Sequence, residues 1–206
     1  MERYDKALAD LTRAIELDPS YAWAIARRGE TYRLMERYDE ALADFTRAIE
    51  LDPSAALAVT SRGQTFQEME RYDEALADFN RAIELDPSAV WAFTSRGETF
   101  QEIERYDEAL ADFNRAIELD PNAGWPIAAR GETFQEMERY DEALADFTRA
   151  IELDPSYAGA IAARGETFQE MERYDEALAD FNRAIELDPN LAKKLGTHLA
   201  QLPDSY

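Results

Sequence analysis

The sequence predicts an all-α helical-repeat solenoid, and three observations carry that prediction. Pro19, Pro53, Pro87, Pro121, Pro155 and Pro189 follow one another at steps of 34 residues, each inside a Glu-Leu-Asp-Pro run. Gly29, Gly63, Gly97, Gly131 and Gly165 keep the same step, each behind an arginine. Between these landmarks apolar residues recur at helical spacing, and a unit that cannot bury its own apolar face does so on its neighbours. At 206 residues and 46% hydrophobic content the chain has enough apolar material for a continuous core.

The elements follow in order. Residues 1–21 read as a lone second helix of a truncated unit. Five full units span 22–55, 56–89, 90–123, 124–157 and 158–191, and residues 192–206 form a C-terminal capping helix and tail. With the unit 22–55 numbered from position 1 to position 34, its second half places Tyr38, Ala41, Leu42, Phe45, Ala48 and Ile49 on one helical stripe. Asp39 and Glu40 suit the positive end of that helix, and Pro53 stops it, because the ring clashes with the preceding turn and offers no N–H. The first half carries Ile25, Gly29 and Tyr32 at helical steps, with Ser54-type residues, serine or asparagine, just after each proline as candidate N-caps.

Two residue choices need a tertiary explanation. A glycine inside a helix costs about 0.5–1 kcal/mol relative to alanine, so five at one register imply close approach of two helices, expected here at the position of Ala41. Arg28, Arg62, Arg96, Arg130 and Arg164 lie beside the apolar stripe, where a charge must be paired or must reach water. The best-placed partners are on the second helix, which predicts pairs such as Arg28 with Asp44 and Arg62 with Asp78.

The signature Gly29, Tyr32, Ala41, Phe45, Ala48 and Pro53, with equivalents in the units beginning at Ala56, Val90, Gly124 and Ala158, resembles the tetratricopeptide repeat. The resemblance covers residues 1 to about 202. It departs from the family at position 4, occupied by Ile25, Val59, Phe93, Ile127 and Ile161, and at position 7, which is always arginine. The resemblance implies a right-handed superhelix of antiparallel helix pairs whose first helices line a concave groove for peptide or protein segments.

Carried onto this chain, the groove comprises Trp23, Ala26, Glu30, Arg33 and Leu34 in the first full unit and Leu57, Thr60, Gln64, Gln67 and Glu68 in the next. It continues with Trp91, Thr94, Glu98, Gln101 and Glu102, then Trp125, Ala128, Glu132, Gln135 and Glu136, and finally Gly159, Ala162, Glu166, Gln169 and Glu170. Family members that grip a C-terminal carboxylate use Lys and Asn where this chain has Ala or Thr and Glu or Gln, so an acidic terminus is a poor guest. A basic or Arg-containing peptide, pairing with glutamate and stacking on tryptophan, is the electrostatically sensible partner. The alternative is that Trp23, Trp91 and Trp125 pack against the preceding unit and the glutamates form a solvated face.

The ends suggest a different function. The stripe of the first helix, Tyr4, Leu8, Leu11 and Ile15, lacks the covering helix that other units have, and burying such side chains is worth roughly 1.5–3 kcal/mol each. The terminal helix offers Leu195, Leu199 and Leu202. Together these residues make a self-associating homo-oligomer or head-to-tail polymer the alternative to a peptide-binding scaffold.

Charge and composition exclude other classes. With 22 Lys and Arg against 44 Asp and Glu the net charge is -22, which repels nucleic acid and anionic membrane surfaces. No apolar run approaches the roughly 18 residues of a membrane helix and the first residues are charged, so a cytoplasmic location is expected. There is no cysteine, no phosphate-binding glycine loop and no calcium-loop spacing. The single histidine, His198, reads as a surface residue. A non-enzymatic protein without cofactor or metal is expected.

Overall fold

The computed structural model describes residues 2–202, and among these the secondary structure is helical throughout. The helices are α1 (Glu2–Leu17), α2 (Ala22–Leu34), α3 (Tyr38–Leu51), α4 (Ala56–Glu68), α5 (Tyr72–Leu85), α6 (Val90–Glu102), α7 (Tyr106–Leu119), α8 (Gly124–Glu136), α9 (Tyr140–Leu153), α10 (Ala158–Glu170), α11 (Tyr174–Leu187) and α12 (Ala192–Leu199). A short 3-10 turn, Pro189–Leu191, leads into α12. The chain divides into two units, residues 1–103 and 104–206.

In the first unit each helix packs on the next, from α1 to α6, and α4 touches both α2 and α6. Its core joins Ile15 of α1 to Ile25, Ile49, Val59 and the alanines between them, with Leu11, Ile83 and Trp91 packed around it. The second unit repeats the scheme from α7 to α12. Its core runs from Ile117 through Ile127, Ile151 and Ile161 to Phe181 and Leu195. Phe45, Phe79, Phe113, Phe147 and Phe181 are all shut off from solvent, which is why the stripe of the second helix is so regular.

The glycines are explained by these phenylalanines. A Cβ at Gly29 would stand 3.0 Å from Phe45 Cε1 and 3.2 Å from Asp44 Cβ, and at Gly63 2.9 Å from Phe79 Cε1. The close approach is real, and the atoms nearest such a Cβ belong to the ring and to the aspartate, about one turn on from the Ala41 expected. A flat ring fills the space that a small residue would have left open.

The serines do not cap the first helices. The N-cap positions are Tyr21, Ala55, Ala89, Ala123 and Tyr157, none with a side-chain cap. Ser54 instead donates its hydroxyl and its backbone N–H to Asp52 Oδ1, at 2.6 and 3.0 Å, and Ser20, Ser88 and Ser156 do the same with Asp18, Asp86 and Asp154. The aspartate at the end of each second helix competes successfully for the serine and locks the turn around proline. Across that turn Arg47 donates to Pro19 O at 2.6 Å and Arg81 to Pro53 O at 3.0 Å in the first unit. Arg149 and Arg183 do so to Pro121 O and Pro155 O in the second, so each unit's repeats are tied through their loops.

The helix pairs turn on a residue in an unusual conformation. Glu36, Glu70, Glu104, Glu138 and Glu172 have φ of 58°, the left-handed region. Glu36 N–H donates to Arg33 O at 2.8 Å and Arg37 N–H to Tyr32 O at 2.9 Å, the two bonds of a Schellman motif. The apolar contact that usually closes this motif is here a cation over a ring: the Arg37 guanidinium lies 4.5 Å from the Tyr32 centroid, as Arg71 does from Phe66.

Candidate functional site: two acidic grooves

The arginines beside the apolar stripe are structural clamps. Arg28 Nε and Nη2 donate to the two carboxylate oxygens of Asp44 at 2.7 and 2.8 Å, and Arg62 with Asp78, Arg130 with Asp146 and Arg164 with Asp180 repeat the fork. These aspartates are buried, so the bidentate geometry supplies what solvent no longer can. Each pairing also fixes the rotation of a first helix on its second, and so decides which of its residues face outward.

In the first unit, those outward residues line a groove of about 450 Å³. Arg33, Gln64, Gln67, Glu68, Glu98 and Glu102, expected from sequence, meet Glu70, Tyr72 and Ser95 there. Arg33 is committed to its neighbours: it bonds to Glu30 at 2.7 Å and makes a short ion pair with Glu68. Two carboxylates share that one guanidinium, so the end of the groove nearest α2 is only partly neutralised. A smaller cavity of about 130 Å³ beside it gathers Glu30, Leu57 and Gln64 with Ala26, Arg27, Phe45 and Ser61.

In the second unit a groove of about 530 Å³ is lined by Glu132, Gln135, Glu136, Gly159, Ala162, Glu166 and Glu170 from the expected set, with Tyr140, Ala163, Leu191 and Lys194. The small residues on α10 open its floor, and the glutamates supply its walls. Solvent reaches Glu132, yet the protein around it pushes its carboxyl above the ordinary glutamate value. Burial is the first cause and the carboxylates of Glu136 and Glu166 the next, with Lys194 pulling the other way. Local positive charge is thus in short supply.

Tyr72 and Tyr140 belong to these grooves, and sequence reasoning placed their register on the packing stripe instead. Their phenols are pushed up, by burial first and then by Glu102 and Glu70 for Tyr72, and by Glu138 and Glu170 for Tyr140. They begin the second helix of their repeats, where a large side chain reaches past the turn; no periodicity marks that reach. Lys194 was missed for a similar reason, since it comes from α12 and not from a repeating register.

The tryptophans do not line these grooves. Trp91 packs against the first unit's core, whereas Trp23 is 57% exposed and stacks on Tyr21 at 5.7 Å, and Trp125 is 41% exposed. Gln101 and Gln169 also stand outside the described linings.

The residues expected at a self-associating surface are divided. Ile15 is buried at 7% and Leu195 at 0%, each in its own unit's core, which removes both from any external surface. Leu11, Leu199 and Leu202 are partly buried against the same cores, Leu8 is half-buried, and Tyr4 remains exposed. α1 is covered by α2 and α12 by α11, which accounts for the loss of surface.

His198 is not a simple surface residue. Its Nδ1 is 2.9 Å from Gln169 Oε1, its Nε2 3.8 Å from Glu166 Oε1, and its ring 5.6 Å from that of Phe181. Among the described residues no group of His, Asp and Glu could hold a metal ion, and no helix is long and apolar enough to cross a membrane.

Comparisons with known proteins agree with this architecture. Family models described as tetratricopeptide repeat match residues 1–21, 22–55, 60–124, 128–157 and 160–191. No curated protein sequence matches. Among solved structures, YrrB, described as a TPR protein with an unusual peptide-binding site, is 29% identical, with 93% of this chain and 98% of that chain covered and a TM-score of 0.64. A thermophilic TPR protein of Thermus thermophilus, TTC0263, is 22% identical over 88% of this chain and 98% of its own, with a TM-score of 0.76. MamA is 21% identical over 80% and 96%, with a TM-score of 0.66.

Proposed function

Since the chain belongs to the tetratricopeptide repeat family, a fold that serves as a protein-interaction scaffold, we propose that its acidic grooves bind a basic or Arg-containing peptide or protein segment. The observation that carries this reading is the convergence of Glu132, Glu136, Glu166 and Glu170 on one groove whose described lining holds a single cation, Lys194. A carboxylate held among other carboxylates gains most when a cation arrives, and a guanidinium or ammonium supplies that cation. Likeness to YrrB, a TPR protein with a peptide-binding site, supports the ligand class but not its charge. The exposed Trp23 and Trp125 would then meet a guest at the edge of the helix face, through stacking with arginine.

Titration calorimetry with an oligolysine and an oligoarginine peptide tests the reading on the full chain. Charge reversal of Glu98, Glu132 and Glu166 should abolish binding while far-ultraviolet circular dichroism stays unchanged. Retained binding in a folded triple variant would sink it.

A second reading is favoured by α1, where Tyr4 is 39% and Leu17 72% exposed: self-association through this helix into a homo-oligomer. Light scattering over a concentration series decides it, and a strict monomer removes it. A groove guest would bind without changing the oligomeric state.

A further inference from the structure

We propose that Lys194 is an internal occupant of the second unit's groove, and that a basic guest segment reaches Glu166 by displacing it. The proposal rests on the groove reading above and adds its regulation. Leu195 fixes the register: it is fully buried in the cluster that contains Ile161, Phe181 and Ala184, and so anchors α12 against α11. That register puts Lys194 where the repeats carry a small buried residue, namely Ala24, Ala58, Ala92, Pro126 and Ala160. A lysine ammonium has no place in that interior, so its four-carbon stem carries the charge outward to the groove.

There it finds Glu166, with Nζ 2.9 Å from Oε1. That oxygen is itself cut off from water and has no well-directed hydrogen bond, so the ion pair with Lys194 is what compensates it. His198 of the same helix holds Gln169 at 2.9 Å, and Gln201 just beyond lies 3.4 Å from Gln169 Nε2. One short segment therefore engages Glu166 in the groove and Gln169 beside it. Lys194 and Leu191 also appear in the lining of the groove itself.

The attachment suits release. Lys194 remains 64% exposed, so its own end of the pair stays solvated and can be exchanged for another cation. α12 buries a single residue and is eight residues long, which places it at the low-stability end of the unit. A guest with several cations can outcompete one lysine at Glu166 while also using Glu132, so the resident segment sets a threshold that a singly charged guest does not cross.

Hydrogen exchange read by mass spectrometry on the full chain, with and without an oligolysine peptide, tests the displacement. Exchange across residues 192–202 should rise several-fold on binding, while α8 to α11 keep their protection. The variant Lys194→Gln, which retains the Leu195 anchor, should bind the peptide roughly threefold tighter or more. Peptide binding with unchanged exchange at 192–202 and unchanged affinity in Lys194→Gln overturns the displacement and leaves the groove reading standing. If neither protein binds the peptide, the groove reading itself falls and takes the displacement with it.

Discussion

Arg62 and Asp78 illustrate how a single residue pair sets the face of a helix. The guanidinium donates twice, at 2.7 Å each, to a carboxylate that is only 5% exposed, and its pKa is raised above its already high ordinary value chiefly by that bond. Removing one partner strands the other in a site built for a pair, whereas removing both leaves ordinary apolar volume. Asp78→Ala should therefore cost about 2–4 kcal/mol in urea unfolding, less than for a wholly buried pair because Arg62 keeps some water. The double variant Arg62→Met with Asp78→Leu should recover most of that loss. Equal destabilisation by the single and double variants would mean that packing around the aspartate, and not its charge, is what matters. The pairing was legible in sequence, because a charge beside an apolar stripe has few possible partners and the helix register supplies one. The nearest neighbour of Gly63 was not, since spacing says that something comes close without saying that the ring of Phe79 comes nearest.

At the scale of the element, the turn between paired helices holds unused stability. Glu36 occupies a left-handed conformation that costs an ordinary L-residue roughly 1–2 kcal/mol, and nothing in its side-chain chemistry requires glutamate there. The Schellman bonds use only backbone, so glycine preserves them. Glu36→Gly, Glu70→Gly, Glu138→Gly and Glu172→Gly should each raise stability by about 0.5–1 kcal/mol, after the greater chain entropy of unfolded glycine is subtracted. Thermal unfolding of the single and combined variants checks this, and loss of stability would show that the carboxylate has a partner worth more than the strain. Here the limits of sequence are physical. Repeated proline, glycine and apolar steps revealed the helices because core burial imposes them on every copy. A glutamate at a left-handed position leaves no such pattern, and the serines after proline satisfy a cap rule and a turn rule alike, a contest decided by the nearby aspartate. Lys194 lies outside the period altogether, so its meeting with Glu166 had to be seen in three dimensions.

For the molecule as a whole, an excess of acid sets the conditions under which a guest can bind. The net charge of -22 draws cationic segments from solution and is screened by salt, so affinity for oligolysine should fall steadily as salt is raised. Superimposed on this is a specific titration. Glu132 has its folded value raised above the ordinary 4.5, which means that its ionised form is disfavoured in the folded chain. That penalty is present at neutral pH and is relieved as pH falls through the raised value, when the carboxyl takes up a proton. A bound cation acts oppositely: it stabilises the carboxylate, lowers its value and expels the proton. Affinity should therefore rise with pH from the ordinary glutamate value through the raised one and level off once Glu132 is ionised without help. Calorimetry in two buffers of different ionisation heat, at a pH inside that window, should reveal proton release on binding. Glu132→Gln should lose that release while keeping the salt dependence, because the remaining carboxylates still supply the long-range field. Proton release that persists in Glu132→Gln would transfer the titration to another groove carboxylate, and binding indifferent to both pH and salt would rule out an electrostatic guest.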